Sequence, residues 1–340
     1  MAQKAILLAN LGSPDSPDVK DVRRYLNEFL MDERVIDVPY FFRVLLVKGM
    51  IVPFRAPKSA AKYAGIWTDN GSPLIHITRQ LTELVQNKSN LPAYMCMRYA
   101  NPAPAGVLRN IAYENPDLEE LIFVPLYPHY AMSSYESAVE HVQSAYRSGN
   151  YPFQIRVVPP FYNDRDYINA LAESIQPYIQ QEYDHILFSY HGVPERHIRK
   201  SDPTKSHCLL HEDCCNTASE AHKTCYRKQV IATTTLVAGA LNIPNHKFSY
   251  SFQSRLGQDK WLKPFTVDEL KEMPSRGIRT LVVVCPAFVS DCLETLEEIR
   301  VEGKEEFENA GGTSFTVVPC LNTNDSWVDT IHSLVSTSLT

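Results

Sequence analysis

The chain has 340 residues, enough for about two domains, each with its own core. Hydrophobic residues make up 44% of it and charged residues 21%, which is the balance of an ordinary globular protein and excludes a disordered or fibrous one. With 33 basic against 39 acidic residues the net charge is -6, so nucleic acid is not an expected partner.

No stretch of the sequence has the apolar length of a targeting or membrane-spanning segment. The N-terminal apolar run is broken by Asn10 and Gly12, which makes it shorter than the core of a signal peptide. The longest apolar stretch, residues 40–54, is interrupted by Arg43 and Lys48. It could line an apolar cavity or rest on a bilayer, or it could be a buried helix whose two cations reach the solvent. The sequence therefore predicts a cytoplasmic protein with reduced cysteines, in which clustered cysteines indicate metal.

Eight short runs rich in Val, Ile, Leu and Phe predict strands. They fall at 5–9, 93–98, 121–126 and 154–158, then at 186–190, 248–252, 280–285 and 315–318. Helical patterns lie between most of them, at 73–85, 133–147, 165–180 and 228–241, and a closing helix is predicted at 325–336. Such alternation predicts an α/β protein with two similar Rossmann-like domains, each a four-stranded parallel sheet flanked by helices. We expect the domains to cover residues 1–160 and 161–340, with the closing helix in the second.

Polar and aromatic side chains gather where the predicted strands end. Arg98 and Tyr99 follow the second strand, Tyr127 the third, His191 the fifth and Phe288 the seventh. Ligands bind at the carboxyl ends of parallel strands, so we expect these groups to line an aromatic cleft between the domains. Such a cleft suits a large flat hydrophobic ligand, and no Gly-rich phosphate loop follows any strand, which disfavours a nucleotide.

A histidine and an acidic helix carry most of the candidate chemistry. His191 ends a buried run, where it could face a substrate or simply be held by a backbone hydrogen bond. Glu294, Glu298 and Glu302 recur every four residues, which on an α-helix places them on one face. Such a face is usually solvated, but Glu294 lies in the first turn at the predicted cleft edge. A carboxylate near a neutral histidine can take protons from a substrate or bind a divalent transition metal.

Residues 207–228 form a polar insert that holds half of the eight cysteines, namely Cys208, Cys214, Cys215 and Cys225. Four thiolates satisfy a 2Fe–2S cluster. Three nearby histidines keep structural zinc open, although the C-x-x-C spacing of a zinc ribbon is absent. A segment without metal is the third alternative.

Short motifs run through the whole chain in order. They are LANLGSP at 8–14, GSPL at 71–74, MRY at 97–99, PLYPHY at 125–130, SYHGVP at 189–194, SDP at 201–203, FQSR at 252–255 and FVSDCLETL at 288–296. This series resembles the ferrochelatases, and its S-Y-H-G-x-P and S-D-x-x-E-T-L elements are the most specific. The resemblance implies two chelatase-type domains and the insertion of Fe²⁺ into protoporphyrin IX or coproporphyrin III to make heme.

Carried over to this sequence, the resemblance implies a role for individual residues. His191 would be the proton-accepting base and Glu294 its partner carboxylate, with either one delivering Fe²⁺ and with Glu298 and Glu302 continuing an acidic path. Contacts with the porphyrin or its propionates are implied for Arg98, Tyr99, Tyr63, Tyr127, Trp261 and Phe288.

The resemblance also bears on three further features. Residues 40–54 correspond to an apolar lip, which implies a peripheral contact with the inner face of the cell membrane. The internal cysteines correspond to the 2Fe–2S ligands of some bacterial ferrochelatases. Cys292 stands where the family often has histidine, and it would either alter the metal preference or be inert.

Two other functions stay open on the sequence alone. One is a chelatase that inserts cobalt into a tetrapyrrole. The other is a non-catalytic carrier of heme or porphyrin, for which His191 would be an axial ligand.

Overall fold

The computed structural model describes residues 3–255 and 259–337 and contains two four-stranded parallel sheets. The strands are β1 Lys4–Asn10, β2 Ala93–Met97, β3 Glu120–Pro125, β4 Gln154–Val157, β5 His185–His191, β6 Phe248–Gln253, β7 Thr280–Val284 and β8 Ser314–Val317. Their order is β2-β1-β3-β4 in one sheet and β6-β5-β7-β8 in the other. The predicted fold class is confirmed, because both sheets are parallel and flanked by helices.

The helices connect these strands. They are α1 Val19–Leu30, α2 Tyr40–Val44, α3 Val52–Ile66, α4 Pro73–Ser89, α5 Pro104–Glu114, α6 Ser137–Gly149, α7 Arg165–Ile175, α8 Glu195–Ser201, α9 Tyr226–Ala240, α10 Thr266–Glu272, α11 Lys304–Asn309 and α12 Asp325–Thr337. Three π-helices occur at Leu45–Ile51, Met132–Glu136 and Glu294–Gly303. Short 3₁₀ turns lie at Gln176–Tyr178, Glu220–Lys223, Asn245–Lys247 and Met273–Arg276.

The first compact unit contains the described residues up to Leu126, Met132–Pro159 and the chain from Thr323 onward. Its core includes Leu7 and Phe123 from adjacent strands. Helix α12, which the sequence analysis assigns to the second domain, groups with this first unit. It packs against α4, and Lys88 Nζ lies 2.6 Å from Asp329 Oδ1.

The second unit contains Tyr127–Ala131 and Pro160–Asn322. Its central strand β5 is buried along nearly its whole length, because helices cover both faces of the sheet. Leu187 and Val283 pair across β5 and β7 in the middle of the core. No helix in the described ranges is long and apolar enough to cross a membrane.

Candidate active site

His191 is the last residue of β5, and its ring is only partly buried. Its Nδ1 atom lies 2.7 Å from the carbonyl oxygen of Gly192. A carbonyl oxygen can only accept a hydrogen bond, so the neutral ring carries its proton on Nδ1 and presents a lone pair on Nε2. The ring centroid lies 6.4 Å from that of Phe288, which follows β7. The histidine is therefore oriented as a base or metal ligand beside an aromatic ring.

Gly192 lets the loop after His191 pass close to β6. A Cβ at this position would lie 2.9 Å from Ser254 O and 3.3 Å from Cε3 of Trp261. The backbone N–H of Gly192 donates to Gln253 O at 2.7 Å, and the backbone N–H of Leu262 donates to Val193 O at 3.1 Å. These contacts hold Trp261 against the His191 loop.

Glu294 is the first residue of a π-helix that runs to Gly303. The predicted helix is present, but its hydrogen bonds run from i to i+5, a pattern that apolar spacing does not distinguish from an α-helix. Thr295 Oγ1 caps the turn, since it donates to Asp291 Oδ1 at 2.8 Å and accepts from Cys292 N at 3.0 Å.

The thiol of Cys292 lies beside Glu294. Burial, the Glu294 charge and a hydrogen bond to that carboxylate together raise the pKa of Cys292 well above its usual range. A protonated thiol donates to the carboxylate and is a poor metal ligand.

Glu298 and Glu302 line a cavity of about 460 Å³ in the second unit. Ser254 Oγ donates a hydrogen bond to Glu298, and Arg255 also lines the cavity. Both glutamates are partly buried, so they do not lie on a fully solvated helix face.

The segment after β3 is hydrogen-bonded to α9. Tyr130 N donates to Gln229 Oε1 at 2.7 Å, and His129 Nε2 lies 2.9 Å from Thr233 Oγ1. Burial lowers the pKa of His129 to about 3, so this histidine stays neutral. Tyr127, two residues earlier, is buried. The sequence motif contains His129, but nothing in the local sequence indicates that His129 bonds to Thr233 of α9.

In the first unit, Arg98 belongs to a buried polar network centred on Asp32. One guanidinium nitrogen lies 2.6 Å from Asp32 Oδ2, and the Tyr99 hydroxyl donates to the same oxygen at 2.8 Å. Ser137 Oγ donates to it as well. Burial opposes ionisation, but these hydrogen bonds and the Arg98 charge hold the pKa of Asp32 below its usual range. Sequence analysis missed Asp32 and Ser137, which lie far from Arg98 along the chain.

Tyr99 and Tyr63 lie in an aromatic cluster around Tyr25. Their ring centroids are 6.4 and 6.2 Å from that of Tyr25, respectively. Tyr99 is 0% exposed and Tyr63 only 6%. The structure thus places these two tyrosines in the interior of the first unit, whereas the Arg98 side chain is 14% exposed.

The four cysteines of the insert are all buried, although the segment around them is polar. The thiols of Cys208 and Cys215 each hydrogen-bond to that of Cys225, and Cys215 also bonds to Cys214. Burial is the main reason that the pKa of Cys208 rises to about 11. Within the described part of the chain, no group of three or more His, Cys, Asp or Glu side chains is arranged to hold a single metal ion.

Asp202 fixes the start of the insert. Its carboxylate accepts hydrogen bonds from the backbone N–H of Cys208 at 2.8 Å and of His207 at 3.0 Å, and from Thr204 N and Oγ1. Burial opposes ionisation, but these bonds lower the pKa of Asp202 well below its usual range. Farther along, Nε2 of His207 and of His222 lie 2.7 and 3.1 Å from the same carbonyl, that of Cys214.

In the lip at residues 40–54 the aromatic side chains are exposed, whereas Val47 and Val52 are buried. Phe41 is 75% exposed and Phe54 78%, whereas Arg43 is only 7% exposed. The Arg43 guanidinium donates to the carbonyls of Ile36 and Val38 at 3.2 Å each. The buried-helix alternative is therefore wrong, because the aromatic rings lie outside and Arg43, one of the two cations, lies inside.

Comparisons with known proteins identify the family of this chain. A model of the family Ferrochelatase matches residues 3–339. The chain is 48% identical to a ferrochelatase of Opitutus terrae over 100% of this chain and 99% of that protein. It is 47% identical to a ferrochelatase of Pseudomonas entomophila over 96% of this chain and 97% of that protein. The chain belongs to the ferrochelatase family.

A solved structure supports the fold of this ferrochelatase. SirB from Bacillus subtilis with Fe³⁺ superposes with a TM-score of 0.52 over 99% of this chain and 97% of that one, at 11% identity. The predicted family and activity are confirmed: as a ferrochelatase, the protein is a metal chelatase that inserts iron into a porphyrin to make heme.

Proposed function

We propose that His191 is the base that removes pyrrole protons as Fe²⁺ enters the porphyrin. Insertion replaces two pyrrole N–H protons by one Fe²⁺, so both protons must leave the macrocycle. The observation that supports this role is the contact of Nδ1 with Gly192 O, which leaves the Nε2 lone pair to accept a proton. Phe288 and Trp261 border the same loop and suit the face of an aromatic macrocycle.

Glu294 is the partner carboxylate in this proposal. It starts the helix whose later residues Glu298 and Glu302 line the acidic cavity. Carboxylate oxygens bind Fe²⁺ and also accept protons, so Glu294 can relay a proton from His191 or hand on iron. The hydrogen bond from Cys292 orients one of its oxygens.

Arg98 is the proposed contact for a porphyrin propionate, since its side chain is 14% exposed and a guanidinium binds carboxylates well. Tyr99 supports Arg98 by bonding to the same carboxylate, that of Asp32. Tyr63 packs with Tyr99 in the aromatic cluster around Tyr25. Tyr127, which is buried just before the segment that is hydrogen-bonded to α9, is a further proposed contact for the macrocycle.

Anaerobic steady-state assays with Fe²⁺ test this proposal, using protoporphyrin IX and coproporphyrin III separately. His191→Ala should abolish insertion and Glu294→Gln should reduce it at least a hundredfold, on the order of the general acid–base contribution. Both variants should keep the wild-type circular-dichroism spectrum. Near-normal turnover by a folded His191→Ala protein would contradict the base assignment.

The same assay separates the alternatives. A cobalt chelatase would prefer Co²⁺ when the two metals compete. A carrier would be isolated with a Soret band and would show no insertion.

We infer that the insert holds a 2Fe–2S cluster through Cys208, Cys214, Cys215 and Cys225. Four buried thiols, which are linked to one another through Cys215 and Cys225, fit the all-cysteine donor set of such a cluster. Structural zinc is the second candidate, but His207 and His222 both direct Nε2 at a backbone carbonyl. When bound, the cluster would cross-link a polar segment that has little apolar content of its own.

We also infer a peripheral contact between the lip and a membrane. The exposed rings of Phe41, Phe42 and Phe54 lie on helices that also carry the exposed cations Lys48 and Arg55. An apolar surface bordered by cations is typical of helices that lie in the interface of an anionic bilayer.

A further inference from the structure

The first residue of α9 reaches the end of β5. The hydroxyl of Tyr226 donates a 2.8 Å hydrogen bond to the backbone carbonyl of His191. The Tyr226 side chain is 4% exposed, and its ring lies 5.9 Å from that of His129 and 6.5 Å from that of Phe252. The hydroxyl is therefore held in place by its own packing.

This bond satisfies a carbonyl that the sheet leaves unpaired. The peptide N–H of Gly192 donates to Gln253 O on β6, and in a planar trans peptide the carbonyl of His191 points the opposite way. That direction is the β7 side, where the pairing of β5 with β7 runs only to Phe188 and Val284. The tyrosine hydroxyl supplies the donor that β7 no longer provides.

The orientation of the imidazole depends on this peptide group. The Gly192 carbonyl accepts the Nδ1 hydrogen bond of His191, so a rotation of the peptide at residue 191 would move that acceptor. We propose that Tyr226 is a positioning residue for His191, which holds the backbone so that Nε2 faces the substrate. This inference rests on the proposed role of His191.

Tyr226→Phe tests it, because the ring packing stays and only the hydroxyl is lost. Tyr190→Phe is the matched control. Tyr190 is fully buried, and its hydroxyl shares a 2.8 Å hydrogen bond with Thr234 Oγ1, so it also joins β5 to α9. Unlike the Tyr226 hydroxyl, it does not bond to the His191 carbonyl. His191→Ala is assayed alongside.

We expect Tyr226→Phe to lower kcat about tenfold or more, since small misplacements of a catalytic group cost up to about a hundredfold. The KM for porphyrin should stay within about twofold, because ground-state binding does not depend on this bond. Tyr190→Phe should keep the wild-type kcat, and both variants should unfold at similar urea concentrations. In histidine-labelled protein, the Nδ1 resonance of His191 should shift in Tyr226→Phe and not in Tyr190→Phe.

The possible failures are distinguishable. If His191→Ala turns over normally, the proposed base fails and this inference fails with it. If His191→Ala is inactive but Tyr226→Phe matches Tyr190→Phe in kcat and in the His191 resonance, only the positioning role is overturned. Should Tyr226→Phe fold poorly, the resonance of its folded fraction still decides between the two outcomes.

Discussion

Asn322 and Asp291 form a closed pair of hydrogen bonds in which Asn322 Nδ2 donates to Asp291 Oδ2 at 2.7 Å and Asp291 N donates to Asn322 Oδ1 at 2.8 Å. Asn322 N also donates to Val289 O at 2.8 Å. Asn322 has a φ of 49°, in the left-handed region where asparagine is tolerated. The residue thus fixes the loop that delivers Glu294.

Two substitutions of Asn322 separate its side chain from its backbone. Asn322→Gly keeps the left-handed backbone unstrained but removes the amide, so we expect a loss of about 1–3 kcal/mol of unfolding free energy from the unpaired Asp291 groups. Asn322→Ala should cost about 1–2 kcal/mol more, because Ala is strained at this φ. Urea unfolding measures both. Wild-type stability of the glycine variant would show that the pair contributes nothing.

Gly192 and Gly239 should respond to alanine in opposite ways. At Gly192 the new methyl group would meet Ser254 O at 2.9 Å, so the His191 loop must shift, and we expect about 1–3 kcal/mol of destabilisation with loss of iron insertion. At Gly239, on an exposed part of α9, nothing lies within 4 Å. Alanine there should stabilise by about 0.5–1 kcal/mol and leave activity unchanged. Equal effects at the two sites would contradict the steric argument.

Asp32 should make stability depend on pH in the acid range. Its folded-state pKa lies below the usual value of 3.8, so the carboxylate stabilises the fold above that pH and this contribution is lost as the pH falls further. Asp32→Asn should cost about 3–5 kcal/mol at pH 7, because the Arg98 charge loses its partner. The difference in unfolding free energy from wild type should shrink as the pH falls below 3.8.

A control for Asp32 lies in the same unit. Asp329→Asn breaks an ion pair with Lys88 in which both side chains are about half exposed. Urea titrations at several pH values should show a change below about 1 kcal/mol for this variant. If both variants lost a similar unfolding free energy, the buried ion pair of Asp32 would contribute no more to stability than the exposed pair of Asp329.

The cysteine segment should give a chemical signature. Aerobically purified protein should be reddish-brown and contain iron and acid-labile sulfide. Cys214→Ser and Cys225→Ser should each contain less iron and less sulfide than wild type, and both variants should be less stable. Asp202→Asn should lose part of the metal, because an amide nitrogen cannot accept the hydrogen bonds of the insert backbone.

Cys96→Ser is the control, since Cys96 is buried in the core of the first unit and should not affect the colour. Colourless protein that binds neither iron nor sulfide under anaerobic reconstitution would refute the cluster. One equivalent of zinc in its place would support the second candidate.

The lip should bind anionic vesicles. Phe41→Ser with Phe54→Ser should weaken co-sedimentation with vesicles containing phosphatidylglycerol by about tenfold or more, since full burial of each ring contributes about 1.5–3 kcal/mol. Tyr113→Ser, at an 88% exposed aromatic residue of α5, should have no effect. Equal binding by all variants would exclude the lip as the contact.

The sequence predicted the sheets better than the site. Every strand lies within one residue of its predicted bounds, because runs buried on both faces stand out. Helix α1 was missed, although Val22, Leu26 and Leu30 recur at helical spacing after Asp18. Asp32 and Arg98 meet across 66 residues, and no local pattern encodes such a contact.

The π-helix that begins at Glu294 makes the acidic cavity depend on the number of residues as well as on their identity. Deleting one residue after Glu294 would move every later side chain of this helix by one helical position, and so to another side of the helix axis. Glu298 and Glu302 would then leave the cavity while Glu294 stayed in place. Deleting a single residue would thus separate Glu294 from the other two carboxylates of the proposed acidic path without removing any of them.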